Sequence, residues 1–109
     1  MIRRASAGLA PDVLTGIFMG EVKKWDDPKI AKLNPGLKLP NLTITPVYRS
    51  DGSGTTYAFT KYMSQISPAW KSEIGYATTV GWKAGVGAKG NPGVTSTVTQ
   101  TKGAIGYIE

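Results

Sequence analysis

The 109-residue sequence has no cysteine and no histidine. Without cysteine there is no disulfide and no thiolate metal site. Without histidine there is no imidazole base, no Ser-His-Asp triad and no imidazole metal ligand. Acidic residues are scarce as well, seven against thirteen Lys and Arg, for a formal charge of +6. Asp26 and Asp27 are adjacent, and neighbouring residues do not share a helix face. They therefore supply no acid–base pair. No stretch approaches the ~20 apolar residues of a membrane span. Met1-Ile2-Arg3-Arg4 has the charge of a signal n-region, but Ala5-Ser6-Ala7-Gly8 is no apolar h-region. Internal repeats and low-complexity linkers are also missing.

The length fits one domain over residues 1–109, and 40% hydrophobic residues can supply its core. The basic residues run from Arg3 to Lys102 without forming a block. Such diffuse charge attracts anions in general, whereas nucleic acid calls for a clustered patch. Trp25, Trp70, Trp82, Tyr57 and Tyr62 do not alternate with basic residues, so they read as packing groups rather than a base-stacking platform.

Helical spacing and end signals predict a helix over residues 11–19, with Pro11 in its first turn and Gly20 as its stop. A short helix follows over 27–33, capped by Asp27. Residues 42–48 alternate as a strand, and Pro46 places that strand at an edge or in an irregular ladder. A longer helix covers 53–65, with Thr55, Phe59, Tyr62, Met63 and Ile66 as its apolar stripe. Ser67-Pro68 opens another over 67–74. Residues 78–82 read as a short extended segment and 85–90 as a glycine-rich loop. Asn91-Pro92 reads as the cap and first turn of a helix that Gly103 ends, with Val94, Val98 and Thr101 facing inward. Residues 104–108 read as a buried strand. The alternation gives an α/β fold, a sheet flanked by helices. The first element is a helix with no strand before it and the last is a strand, so both ends look cut from something larger.

The octapeptide Arg49-Ser50-Asp51-Gly52-Ser53-Gly54-Thr55-Thr56 joins the 42–48 strand to the helix after it. It combines glycines, hydroxyls, an arginine fork and a helix start with unpaired N–H groups, which are the parts of an anion site. The plain alternative is turn and cap chemistry, with Ser53 as an N-cap and Arg49–Asp51 as a surface ion pair. A rival site lies at Gly85-Val86-Gly87-Ala88-Lys89-Gly90, which has the G-x-G-x-x-G spacing, with Glu109 near the offset of a ribose contact. That reading makes the chain a nucleotide- or phosphoryl-binding enzyme fragment. Asn91 stands where a Walker A motif has its lysine. A third reading is a folding unit without activity.

Several blocks together resemble one family. They are Gly16-Ile17-Phe18-Met19-Gly20, Lys24-Trp25-Asp26-Asp27-Pro28-Lys29-Ile30, Leu33-Asn34-Pro35-Gly36-Leu37-Lys38-Leu39-Pro40, the octapeptide at 49–56, Gly87-Ala88-Lys89-Gly90-Asn91 and Gly103-Ala104-Ile105-Gly106-Tyr107-Ile108-Glu109. In this order they resemble the phosphate-binding proteins of the ABC-type phosphate transporter over residues 9 to 109; residues 1–8 carry no recognisable match. The resemblance implies a type II periplasmic-binding-protein-like fold, of which this chain is the central part of the second lobe. It implies a non-enzymatic receptor for inorganic phosphate, with sulfate as a surrogate ligand and no cofactor or metal. Arg49, Ser53, Gly54 and Thr55 become its phosphate contacts, and Asp51 the ion-pair partner of Arg49. The other lobe, including a carboxylate that accepts the proton of phosphate, lies outside this sequence. The implied partner of the full-length parent is the ABC membrane permease, and its location is periplasmic or attached to the cell envelope. A chain carrying one lobe is expected to bind weakly and to form a homo-oligomer through uncovered strand edges. Two departures stand out: Lys83 where the family usually has proline, and Ser50 where alanine is common.

Overall fold

The computed structural model describes residues 10–36 and 38–108. Glu109 and the first nine residues, which carry the ribose-contact and n-region readings, lie outside the described residues. Helix α1 (Pro11–Phe18) begins with its proline, carries Asp12 in the first turn and buries Val13, Leu14, Ile17 and Phe18. Gly20 ends it with φ at 81°, a conformation that glycine adopts without penalty. Helix α2 (Pro28–Ala31) is capped by Asp27, whose carboxylate accepts from the Lys29 N–H at 2.8 Å. It is shorter than the expected 27–33, and Leu33 stays exposed.

Strand β1 (Thr45–Arg49) starts later than the sequence suggested. Residues 42–44 pair with a different segment. Trp25 N–H donates to the Leu42 carbonyl, Ile44 N–H donates to the Lys23 carbonyl, and Lys24 and Thr43 form an antiparallel bridge. Helices α3 (Gly54–Ile66) and α4 (Pro68–Glu73) follow, each opened by a serine cap: Ser53 accepts from Thr56 N–H and Ser67 from Trp70 N–H. On α3, Thr55, Phe59 and Met63 are buried as expected, but Tyr62 points outward and is 45% exposed. Residues 78–82 form no strand: the chain bends at Thr78 and Thr79, and residues 80–82 have no regular structure. The glycine-rich segment is not a loop: it contains strand β2 (Val86–Ala88), and helix α5 (Gly90–Gln100) and strand β3 (Ala104–Gly106) complete the chain.

The strands form one parallel sheet in the order β2-β1-β3, with Val47 beside Val86 and Thr45 beside Ala104. Parallel neighbours need crossover connections. Here α3 and α4 connect β1 to β2, and α5 connects β2 to β3. Pro46 therefore sits in the central strand, not at an edge. Strand alternation explains how this is tolerated. Thr45 N–H turns towards β3, where it meets the Gly103 carbonyl, and Ser50 N–H turns towards β2, where it meets the Ala88 carbonyl. Pro46 has the same parity as Ser50, so its missing N–H faces the β2 side before β2 begins at Val86.

Alternation also sorts the core. Val47 and Ala104 face α5 and pack with Val94 and Val98. Ile105 and Tyr107 face the other side and join Phe18, Phe59, Met63 and Trp70. Gly106 points at α5, where a Cβ would come within 2.9 Å of both Val94 and Val98. The opposite face is strongly aromatic. The Phe59 and Tyr107 rings stack at 4.3 Å, Trp82 lies 5.8 Å from Tyr107, and Tyr48 stacks on Trp82 at 4.8 Å.

Candidate functional site at the carboxyl edge of the sheet

In an open parallel sheet the strand carboxyl ends are where ligand-binding loops gather. Arg49 closes β1, Lys89, Gly90 and Asn91 follow β2, and Tyr107 follows β3. All of them reach the same edge. Arg49 ends β1, and the chain bends at Ser50 and Asp51, which brings the Asp51 carboxylate back to the guanidinium. The Asp51 carboxylate accepts from Arg49 Nε at 2.8 Å and from Nη2 at 2.9 Å. Arg49 Nη1 donates to the Asn91 Oδ1 at 3.0 Å. The Gly90 N–H donates to Asp51 at 3.2 Å. The expected Arg49–Asp51 pair is therefore present, and it is wider than a pair: it ties the β1–α3 loop to the start of α5.

The side chain of Arg49 is only 12% exposed and that of Asp51 34%. Asp51 is held well below the usual carboxylate range, first by its hydrogen bonds from Arg49 and then by the Gly90 amide. A carboxylate with its folded pKa depressed contributes stability above its unfolded pKa and loses it as the pH falls towards the folded value. Acid unfolding of the wild type should therefore begin below about pH 4, the unfolded aspartate range. Asp51→Asn should unfold with a shallower acid dependence in a circular-dichroism pH series. Identical acid profiles would show that the network carries no such linkage.

The first turn of α3 lies beside this network. Gly54 and Thr55 occupy its first positions, where backbone N–H groups have no intrahelical acceptor. Ser53 Oγ accepts from Thr56 N–H at 3.1 Å, which leaves its hydroxyl proton to donate elsewhere. Ser53 and Thr55 are buried, whereas Gly54 is exposed. Ser53 N–H is anchored to the Thr78 carbonyl, which gives the bend at Thr78 a role in holding this turn. One buried hydroxyl connects the two parts: Tyr107 Oη accepts from Arg49 N–H at 3.1 Å and lies 2.6 Å from Thr56 Oγ1.

Arg49, Asp51, Ser53, Gly54 and Thr55 are thus brought to one edge, and the structure adds Gly90, Asn91, Tyr107 and Thr56, which were not among the expected phosphate contacts. Asn91 does not cap α5. The N-cap is Lys89, without a side-chain cap bond, and the Asn91 amide is engaged by Arg49. The Nε/Nη2 edge of the guanidinium, which suits a bidentate oxyanion, is held by Asp51. The rival fingerprint does not form. Its first glycines lie in and before a strand, where the motif needs a turn after one. Gly85, at φ 97°, would place a Cβ 2.2 Å from the Pro46 carbonyl oxygen, and Gly87 would place one 3.0 Å from Ser50 Cβ. These glycines let β2 lie close to β1. Among the described residues no cluster of metal-ligating side chains exists and no helix is long and apolar enough to cross a membrane.

The strand-to-helix loop lies at the carboxyl edge of a parallel α/β sheet, the edge at which open α/β folds bind ligands, and the fold is of the type II periplasmic-binding-protein-like class. A model of the PBP superfamily domain matches residues 3–109, and the chain belongs to that family. It is similar to the phosphate-binding protein PstS of Xylella fastidiosa, 52% identical over 101 residues, which are 93% of this chain and 28% of the relative. It is also similar to PstS of Haemophilus influenzae, 49% identical over 108 residues, 99% of this chain and 32% of the relative. A solved structure of a high-affinity periplasmic phosphate-binding protein bound with phosphate superposes with a TM-score of 0.75 at 28% identity, over 97% of this chain and 29% of that one. The chain thus spans about a third or less of the length of these relatives.

Proposed function

We propose that this chain binds inorganic phosphate at the carboxyl edge of its sheet, as one lobe of a substrate-binding receptor for phosphate uptake, and that it is not an enzyme. The observation that carries the reading is the Arg49–Asp51–Asn91 network set beside the first turn of α3, where the Gly54 and Thr55 amides have no intrahelical acceptor. Phosphate oxygens would be met by the Gly54 and Thr55 amides and the Ser53 and Thr55 hydroxyls, with Arg49 supplying positive charge from an orientation that Asp51 and Asn91 set. The helix dipole adds to the same attraction. The names of the relatives support phosphate as the anion. The full-length parent would work in the periplasm or attached to the cell envelope and deliver phosphate to an ABC membrane permease. A second lobe would complete the contacts, and affinity in this chain alone would be low, because ordering and desolvation costs are then offset by half a site.

The test is a phosphate titration of the 15N-labelled chain, with sulfate as competitor. Shifts are expected at residues 49–56 and 90–91, and Lys89→Ala should leave them in place. Shifts confined to 85–89, or none at millimolar phosphate, would overturn the reading.

A further inference from the structure

Tyr107 is fully buried and follows the last residue of β3. Strand parity turns Thr45, Val47 and Arg49 N–H towards β3, as the Thr45 bond to Gly103 shows. The ladder of β1 with β3 ends at Val47 beside Gly106. Arg49 N–H thus falls one step beyond the paired strand, and the Tyr107 hydroxyl stands in for a ladder carbonyl. The same oxygen meets Thr56 Oγ1, on a residue that is itself fully buried in the first turn of α3. The ring is clamped by the Phe59 ring, 4.3 Å away and nearly parallel, and Phe59 stands on α3 as well.

We propose that Tyr107 is a positioning residue of the anion site, its hydroxyl holding the Arg49 end of β1 in register with the first turn of α3. The contacts explain why one oxygen can do this. A buried hydroxyl has one proton to give and two lone pairs to offer, and here it serves a backbone donor from the strand and a side chain from the helix. Burial also pushes this phenol above the ordinary tyrosine value, so it stays protonated across the working range. Without the hydroxyl, Arg49 N–H and Thr56 Oγ1 lose a shared partner, and strand end and helix start can shift independently. The proposal rests on the phosphate reading for its functional consequence but not for its geometry.

The experiment uses Tyr107→Phe, which keeps the stacked ring and removes the oxygen. In the ligand-free chain, the amide signals of both Arg49 and residues 54–56 should shift, and the Arg49 amide should exchange faster with solvent. Changes confined to ring neighbours such as Phe59 and Trp82 would overturn the proposal. In phosphate titrations of fully folded protein, Y107F should bind about tenfold more weakly, as loss of one hydrogen-bonding group warrants. Phe59→Leu, which disturbs the stack but spares the oxygen, should lower thermal stability and leave phosphate affinity near wild type. Equal affinity losses in the two variants would make Tyr107 merely structural and sink the idea. If Y107F does not fold, Thr56→Val removes the hydroxyl's other partner and is read in the same way. A wild-type chain that ignores phosphate would overturn the proposed function alone, and the ligand-free shifts would still decide the role of Tyr107.

Discussion

Arg49→Ala should remove the phosphate response of this chain. Hydrogen bonds to charged groups are worth about 1.5–3 kcal/mol each, and every 1.4 kcal/mol is tenfold in affinity. Loss of a single contact of this kind to phosphate therefore costs roughly one to two orders of magnitude. The network makes the loss larger. Asp51 takes two hydrogen bonds from the guanidinium, and its carboxylate would be left as an uncompensated negative charge beside the proposed anion position. Arg49→Ala/Asp51→Asn should accordingly recover part of the affinity that Arg49→Ala loses. Arg49→Lys keeps the charge but not the planar fork that spans Asp51 and Asn91, so it should fall between wild type and alanine. Calorimetric or NMR titration of the set gives the order. An alanine variant that titrates like the wild type would remove Arg49 from the site.

Part of this site was legible because part of it is local. Arg49 and Asp51 are two residues apart at a strand end, and Ser53 stands directly before a helix. Nothing beyond a short strand-end turn and capping chemistry is needed to place them. Asn91 and Tyr107 reach Arg49 across 42 and 58 residues. Their roles depend on which strands become neighbours, and short-range patterns do not encode that order. Asn91 shows the conflict directly. Asn-Pro is a sound capping signal, but a guanidinium brought in by β1 competes for the same oxygen, and the ion-pair network takes it.

The fold divides in the same manner. α1, α3 and the cap residues Asp27, Ser53 and Ser67 follow from local chemistry. Pro46 in the central strand and β2 within 85–90 differ from the local expectation for one shared reason. A proline lowers the expectation of a central strand, and clustered glycines raise the expectation of a loop. Here the two features answer each other: glycine at 85, with no Cβ, allows close approach to the Pro46 carbonyl. Each residue taken alone points away from the sheet, while the pair builds it.

Trp70→Ala should produce the largest loss of stability of any single change in the core. Trp70 is fully buried, its indole N–H donates to the Gly75 carbonyl at 3.0 Å, and its ring meets Phe59 and Trp82 at 6.5 and 6.1 Å. Truncating a buried tryptophan costs about 3–5 kcal/mol through lost burial and the cavity left behind. A domain of this size has only about 5–15 kcal/mol to lose. At roughly 4–8 °C per kcal/mol, the midpoint of thermal unfolding should fall by well over ten degrees. Trp70→Phe should recover much of the loss by refilling part of the volume, though not the bond to Gly75. The anion site gives the control. Trp70 meets Phe59 and Trp82, the rings that in turn stack on Tyr107, and its indole N–H goes to Gly75 rather than to Arg49 or Asp51, so the folded fraction of Trp70→Ala at low temperature should keep the 49–56 response to phosphate. A midpoint within a few degrees of wild type would show that the aromatic face is not what supports this fold; a normal midpoint loss with the phosphate response also gone would show that core and site are one cooperative unit.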